Sequence, residues 1–225
     1  MDVWDLDEVG FAMTLPTNYS WSAVGGRLTI PYEAPQGRRV NGIGAYCSAG
    51  PEAGRLEYRL RVNLPKPRKS KKGSPCGKTA PEGKAEALGE RGTPEAVGPI
   101  DSDLFLEFIW TQVAGRPADA AAGWRCERPC VIVLDNYSMH KSQKVQDALP
   151  ALEAADIYLF YLPSYSPELS EIEPIWRAVK YYELPKRSYT DVWELKQAVE
   201  AALARKAQSL RRDNFKTDNL LQQAA

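Results

Sequence analysis

A chain of 225 residues with 29 basic and 29 acidic side chains has no net charge, which counts against a module that grips DNA by bulk charge alone. It is 44% hydrophobic and 26% charged, enough for one core with an insertion. No apolar run approaches the roughly 20 residues of a membrane span, so a cytoplasmic protein is expected. The acidic start Met1-Asp2-Val3-Trp4-Asp5 lacks a signal peptide's basic and apolar regions. Cys47, Cys76, Cys126 and Cys130 read as free thiols in a reducing compartment. The spacing of Cys126 and Cys130 does not suit a zinc knuckle, and His140 is the single histidine.

In chain order, residues 2–8 read as a short strand ending in Asp7-Glu8. A turn-rich stretch follows, then a possible strand at 27–33. Val40–Ser48 is a better strand, with Gly42 and Gly44 inside it. From Arg55 to Val62, Leu56, Tyr58, Leu60 and Val62 alternate with polar partners, the period-two pattern of a half-buried strand. The three good strands suggest an antiparallel meander. Residues 64–99 break the pattern with six prolines and almost no large apolar residue, and read as a disordered insertion. Within it, Gly73-Ser74-Pro75-Cys76-Gly77-Lys78-Thr79 imitates a phosphate-binding loop. It is one residue short, and a basic, Pro-rich run stands where a buried strand should precede it.

Order resumes with a helix capped by Asp101 or Ser102, using Leu104, Phe105, Phe108, Ile109 and Val113. Cys130–Leu134 is apolar at every position, a strand expected to be covered on both faces. Lys141–Ala155 has helical spacing, with Pro150 expected to kink or divide it. Ile157–Leu162 is the next strand. Ile172, Trp176 and Val179 share a helix face, and Asp191–Leu210 is a final amphipathic helix. An antiparallel triplet extended by βαβ crossovers is an α/β, ribonuclease-H-like mixed sheet: three antiparallel strands plus parallel strands, flanked by helices.

Asp7, Asp135 and Glu173 sit on three separate elements, which is what holding two hard cations on oxygen ligands requires. Each has a plainer reading. Asp7 could be solubilising charge on an edge strand, with Asp5 on its face and Glu8 on the other. Asp135-Asn136 could be turn chemistry. Ser170-Glu171-Ile172-Glu173 matches a capping box, although a helix starting at Pro174 would leave Glu173 free at its mouth. His140, five residues past Asp135, is either a cap or a group supporting the site. Two basic clusters, Lys66–Lys72 and Arg205–Lys216, are either solvated or phosphate contacts.

Val131–Ser142 and Leu162–Trp176 together resemble the DDE transposases of the Tc/mariner superfamily, and most closely their bacterial insertion-sequence branch. Their pattern reads approximately L-D-N-x-x-x-H, then L-P-x-Y-S-P-x-L-N-x-I-E-x-x-W. Leu6–Phe11 and Arg39–Ala45 resemble the family's first- and third-strand regions. Ser170 stands where the family most often has Asn. The likeness spans 1–225 apart from 64–99, and the family's helix-turn-helix DNA-binding domain is absent ahead of the first strand, to be encoded elsewhere or lost.

The resemblance implies a metal-dependent endonuclease and strand-transfer domain with Asp7, Asp135 and Glu173 as catalytic triad and metal ligands. It implies two Mg²⁺ or Mn²⁺ ions, DNA as partner, and a possible homodimer. Glu8, Asn136, His140, Arg177 and Lys180 would support the site or contact DNA. The alternatives are a truncated, inactive remnant, a general nuclease of this fold, and a phosphohydrolase using Asp135 as nucleophile.

Overall fold

The computed structural model describes residues 1–13, 24–26, 38–64, 96–163, 166–185 and 187–223. Most of the 64–99 stretch, with its basic cluster and Gly73–Thr79, lies outside these residues, as does the strand expected at 27–33. Where the chain re-enters, Val97 bridges to Val62, and Arg61 donates to the carbonyls of Val97 (2.6 Å) and Pro99 (2.8 Å).

Five strands form one mixed sheet in the order β3-β2-β1-β4-β5. These are β1 (Asp2–Ala12), β2 (Arg39–Ala49), β3 (Leu56–Asn63), β4 (Cys130–Leu134) and β5 (Ile157–Tyr161). β1, β2 and β3 pair antiparallel, and β1, β4 and β5 pair parallel. β1 is therefore the central strand, which corrects the edge-strand reading of its acids. A central strand can carry them because two are partnered within the fold. Asp2 meets Arg128 (3.1 Å), and Asp5 accepts from Ser48 Oγ (2.6 Å).

Alternation along β1 sorts its side chains cleanly from Trp4 onward. Trp4 and Leu6 join a core with α1 (Ser102–Phe108), the π-helical turn Ile109–Val113 that continues it, and α2 (Gln143–Ala154). Val9, Phe11 and Met13 face the opposite core. There, α3 (Glu173–Ala178), its π-helical continuation Val179–Glu183, and α4 (Val192–Gln223) pack on the sheet. Asp101 caps α1 as expected, accepting from the Leu104 amide at 3.0 Å. α2 runs unbroken through Pro150, which lies on its exposed side, where solvent can take the place of the lost ladder bond. α4 extends thirteen residues beyond the expected Leu210.

The expectation that β4 is covered on both faces holds for one. Cys130, Ile132 and Leu134 are buried, but Val131 and Val133 are only half-buried. On that second face α3 and α4 lie over β1–β3. The outward side chains of β5, Tyr158 and Phe160, stay 42% and 57% exposed. No helix among the described residues is long and apolar enough to cross a membrane.

Candidate active site

The pairing of β1 with β4 runs from Asp2↔Cys130 to Asp5↔Val133. Asp7 lies two residues further along β1, and Asp135 directly follows the end of β4, at the same end of the sheet. Neighbouring strands lie about 4.8 Å apart, so this end of the sheet brings the two carboxylates into one neighbourhood.

The third acid arrives on a helix. The N-cap of α3 is Ile172, which makes no side-chain cap, and Pro174 occupies the first turn. Of the two readings of Ser170–Glu173, the structure takes the helix mouth over the capping box. α3 is seated on the sheet by Trp176, 3% exposed, whose ring lies over Gly44 of β2. A Cβ at Gly44 would come within 2.7 Å of Trp176 Cζ2. Gly44 is also the strand partner of Asp7. The ring that seats α3 thus rests beside Asp7, one helical turn from Glu173.

Asp7, Asp135 and Glu173 line one cleft of about 470 Å³ together with Leu6, Asn136, Tyr137, Leu162, Pro163, Ser166 and Ser170. The Asp7 carboxyl is pushed up to about 7. Burial contributes most, followed by the negative charges of Glu8, Glu173 and Asp135, against a favourable bond from the Glu8 backbone. Among the described residues, no three acidic, His or Cys side chains close around a single ion as they lie. The donor chemistry nevertheless fits a hard divalent cation. All three groups are carboxylates, from three elements, and their mutual repulsion is what a bound cation would relieve.

Of the supporting residues, His140 is the best defined. It is fully buried and stacks on Phe105 with ring centroids 4.9 Å apart. Its Nε2 lies 3.0 Å from Glu8 Oε1 and its Nδ1 3.0 Å from Asp135 Oδ1. Its Nδ1 also lies 3.3 Å from the Asp135 backbone carbonyl, so a proton on each ring nitrogen would satisfy acceptors on both sides. Burial opposes the charged ring, but the bonds to Glu8 and Asp135 outweigh it and raise the His140 pKa. Glu8, on the opposite face of β1 from Asp7, thereby reaches Asp135 through the His140 ring. Asp135 Oδ1 also accepts from the Tyr137 amide at 2.9 Å. The Asn136 side chain donates to the Leu162 carbonyl, tying the ends of β4 and β5.

Arg177 and Lys180 fall outside the cleft lining. Arg177 is exposed, and Lys180 Nζ sits 5.8 Å from the Phe11 ring centroid. Tyr137 lines the cleft although no pattern in the sequence marks it, and Ser166, the serine of the Y-S-P pattern, lines it without having been given a role there. Asp5 was passed over as well, although its shared parity with Asp7 was available as a signal.

The mixed five-stranded sheet, with three strands antiparallel and two added in parallel, is a ribonuclease-H-like fold. Residues 91–196 match the family described as DDE superfamily endonuclease. The fold is similar to that of a Mos1 mariner paired end complex with Mg, at TM-score 0.52 and 12% identity, covering 93% of this chain and 52% of that one. A Mos1 mariner paired end complex with Mn and a pre-cleavage Mos1 transpososome each match at TM-score 0.51 and 12% identity, covering 92% of this chain and 52% of theirs. The chain thus spans about half the length of these solved chains. A comparison with curated proteins finds no match. Residues 91–196 thus resemble a DDE superfamily endonuclease, on a fold similar to that of the Mos1 structures.

Proposed function

We propose that this domain cuts DNA at transposon ends and joins them to a target, with Asp7, Asp135 and Glu173 as its catalytic carboxylates. The observation that carries the proposal is the convergence of these three acids, from β1, β4 and α3, on one cleft. Mg²⁺ or Mn²⁺, two ions held by these carboxylates, would supply Lewis-acid activation of the attacking hydroxyl and neutralise charge on the leaving oxygen. Support for the metal and the DNA comes from the Mos1 relatives, solved as paired end complexes with Mn and with Mg.

The chain's own residues set the geometry. Asp7 forms the half-buried floor, fixed by the sheet. Asp135 stands at the rim of the cleft, 59% exposed, with Oδ1 beside His140 Nδ1 and accepting from the Tyr137 amide. Glu173 closes the third side from the mouth of α3. In-line displacement with a water, then with a DNA 3′-hydroxyl, needs no covalent enzyme intermediate, so one site serves cutting and joining. Two copies pairing two ends, in a bacterial cytoplasm, and a helix-turn-helix part that reads the terminal sequence complete the proposal.

The test is nicking of a duplex bearing the terminal repeat, with Mn²⁺ or Mg²⁺, by the wild-type chain and by Asp135→Asn and Glu173→Gln. Both substitutions should abolish nicking while circular dichroism and melting stay native. Unchanged nicking in both removes the proposal. A wild-type chain that cuts any duplex equally is a general nuclease instead.

A further inference from the structure

Asp5 lies on the same face of β1 as Asp7, one side-chain step before it, and is 3% exposed. A carboxylate so buried needs strong partners, and it has two. Its Oδ2 accepts from Ser48 Oγ at 2.6 Å, and its Oδ1 accepts from the Glu171 backbone amide at 3.2 Å. Ser48 is placed for this by an irregularity in the sheet. The β1–β2 register passes from Val3↔Ala49 to Trp4↔Cys47, leaving Ser48 as an extra residue on β2. A bulge of this kind re-aims a side chain, and here the hydroxyl is turned onto Asp5. Glu171 is two residues ahead of Glu173, in the turn from which α3 starts.

We propose that Asp5 is a positioning residue that holds the Glu171 turn against β1 and so fixes where Glu173 stands in the cleft. The inference rests on the reading of Glu173 as a cation ligand. Trp176 seats α3 beyond Glu173 and Asp5 clamps the chain before it. With both in place Glu173 has one approach to Asp7; without the clamp the turn can lift while the helix stays packed. Each bond at Asp5 goes to a carboxylate, the stronger class of hydrogen bond.

The test is Mn²⁺ binding to the full chain, followed by electron paramagnetic resonance of the free ion, with melting temperature recorded without metal. Asp5→Asn keeps an oxygen acceptor for the Glu171 amide and should bind Mn²⁺ within about threefold of wild type. Asp5→Ala removes both bonds and should weaken binding about tenfold or more. Ser48→Ala leaves Asp5 in place with one partner fewer, should weaken binding by a few fold, and decides the matter should Asp5→Ala not fold. Native affinity in Ser48→Ala and in folded Asp5→Ala overturns the clamp. A loss in Asp5→Asn as large as in Asp5→Ala also overturns it, since charge rather than positioning would then be the cause. A wild-type chain that binds no Mn²⁺ refutes the cation reading of the cleft, a different failure from either of these.

Discussion

Replacing Gly44 by Ala tests how the helix bearing Glu173 is seated. In a strand with room for a methyl group, this change stabilises a protein by about 0.4–1 kcal/mol, because the unfolded chain loses freedom. At Gly44 the new Cβ would stand 2.7 Å from Trp176 Cζ2, nearer still to Cη2, and 3.3 Å from the Glu57 carbonyl on the neighbouring strand. The paired strand leaves the backbone little room, so the indole must move by about an ångström, and it is one of the two buried side chains of α3, with Ile175. Overpacking of this kind costs about 1–3 kcal/mol. For a chain of this size that is a fall in melting temperature of roughly 2–12 °C, opposite in sign to the unhindered case. Shifting Glu173 by about 1 Å should also cut metal-dependent nicking by about a hundredfold. Trp176→Phe withdraws the atoms that collide, so the double variant should be more stable than Gly44→Ala alone. The assays are thermal unfolding by circular dichroism and the nicking assay. A Gly44→Ala chain that melts at or above the wild-type temperature and nicks normally refutes the proposed seating.

Three further expectations concern the same cleft. The Asp7 carboxyl, at about 7 in the fold against 3.8 ordinarily, ionises at a cost that is absent below about pH 3.8 and complete above about 7. At about 1.4 kcal/mol per pKa unit, the metal-free chain should lose at most on the order of 4 kcal/mol of stability across that range, and Asp7→Asn should flatten the loss in urea titrations. His140→Phe keeps a ring against Phe105 but strips the bonds to Glu8 and Asp135. It should cost about 2–3 kcal/mol, part of which Glu8→Leu restores, and additive losses in that double-mutant cycle would deny the link. Asn136→Ala cuts the tie to the Leu162 carbonyl and should cost about 1 kcal/mol, with faster amide exchange at the end of β5; unchanged exchange would show that the tie is not holding β5.

Much of this architecture could be read before any coordinates, because it rests on local periodicity. The alternation in Leu56–Val62 and the apolar runs at Cys130–Leu134 and Ile157–Tyr161 each mark a strand. The Asp101 cap marks a helix start. What local pattern could not carry was partnership over long separations. Three acids on one short strand look like a solvated edge until Arg128 and Ser48 are found against them. Asp5 reaches partners 43 and 166 positions away. Glu173 could be assigned neither to a capping box nor to a helix mouth until the helix start was located. Gly44 read as a small residue inside a strand, with nothing to say that an indole lay over it.

The register of β1 with β4 and the contact of Trp176 with Gly44 make the acidic cleft behave like a caliper. One jaw, Asp7 with Asp135, is set by the sheet: Asp7 within β1 and Asp135 directly after β4. The other jaw, Glu173, is carried by a helix whose buried Ile175 and Trp176 pack on the sheet, the indole over the bare Gly44. Adjustment of the gap, to a cation of different radius or to a different phosphate position, must therefore come through the glycine contact and the turn before α3. Changes elsewhere in the core can alter how firmly the instrument is built without altering what it measures.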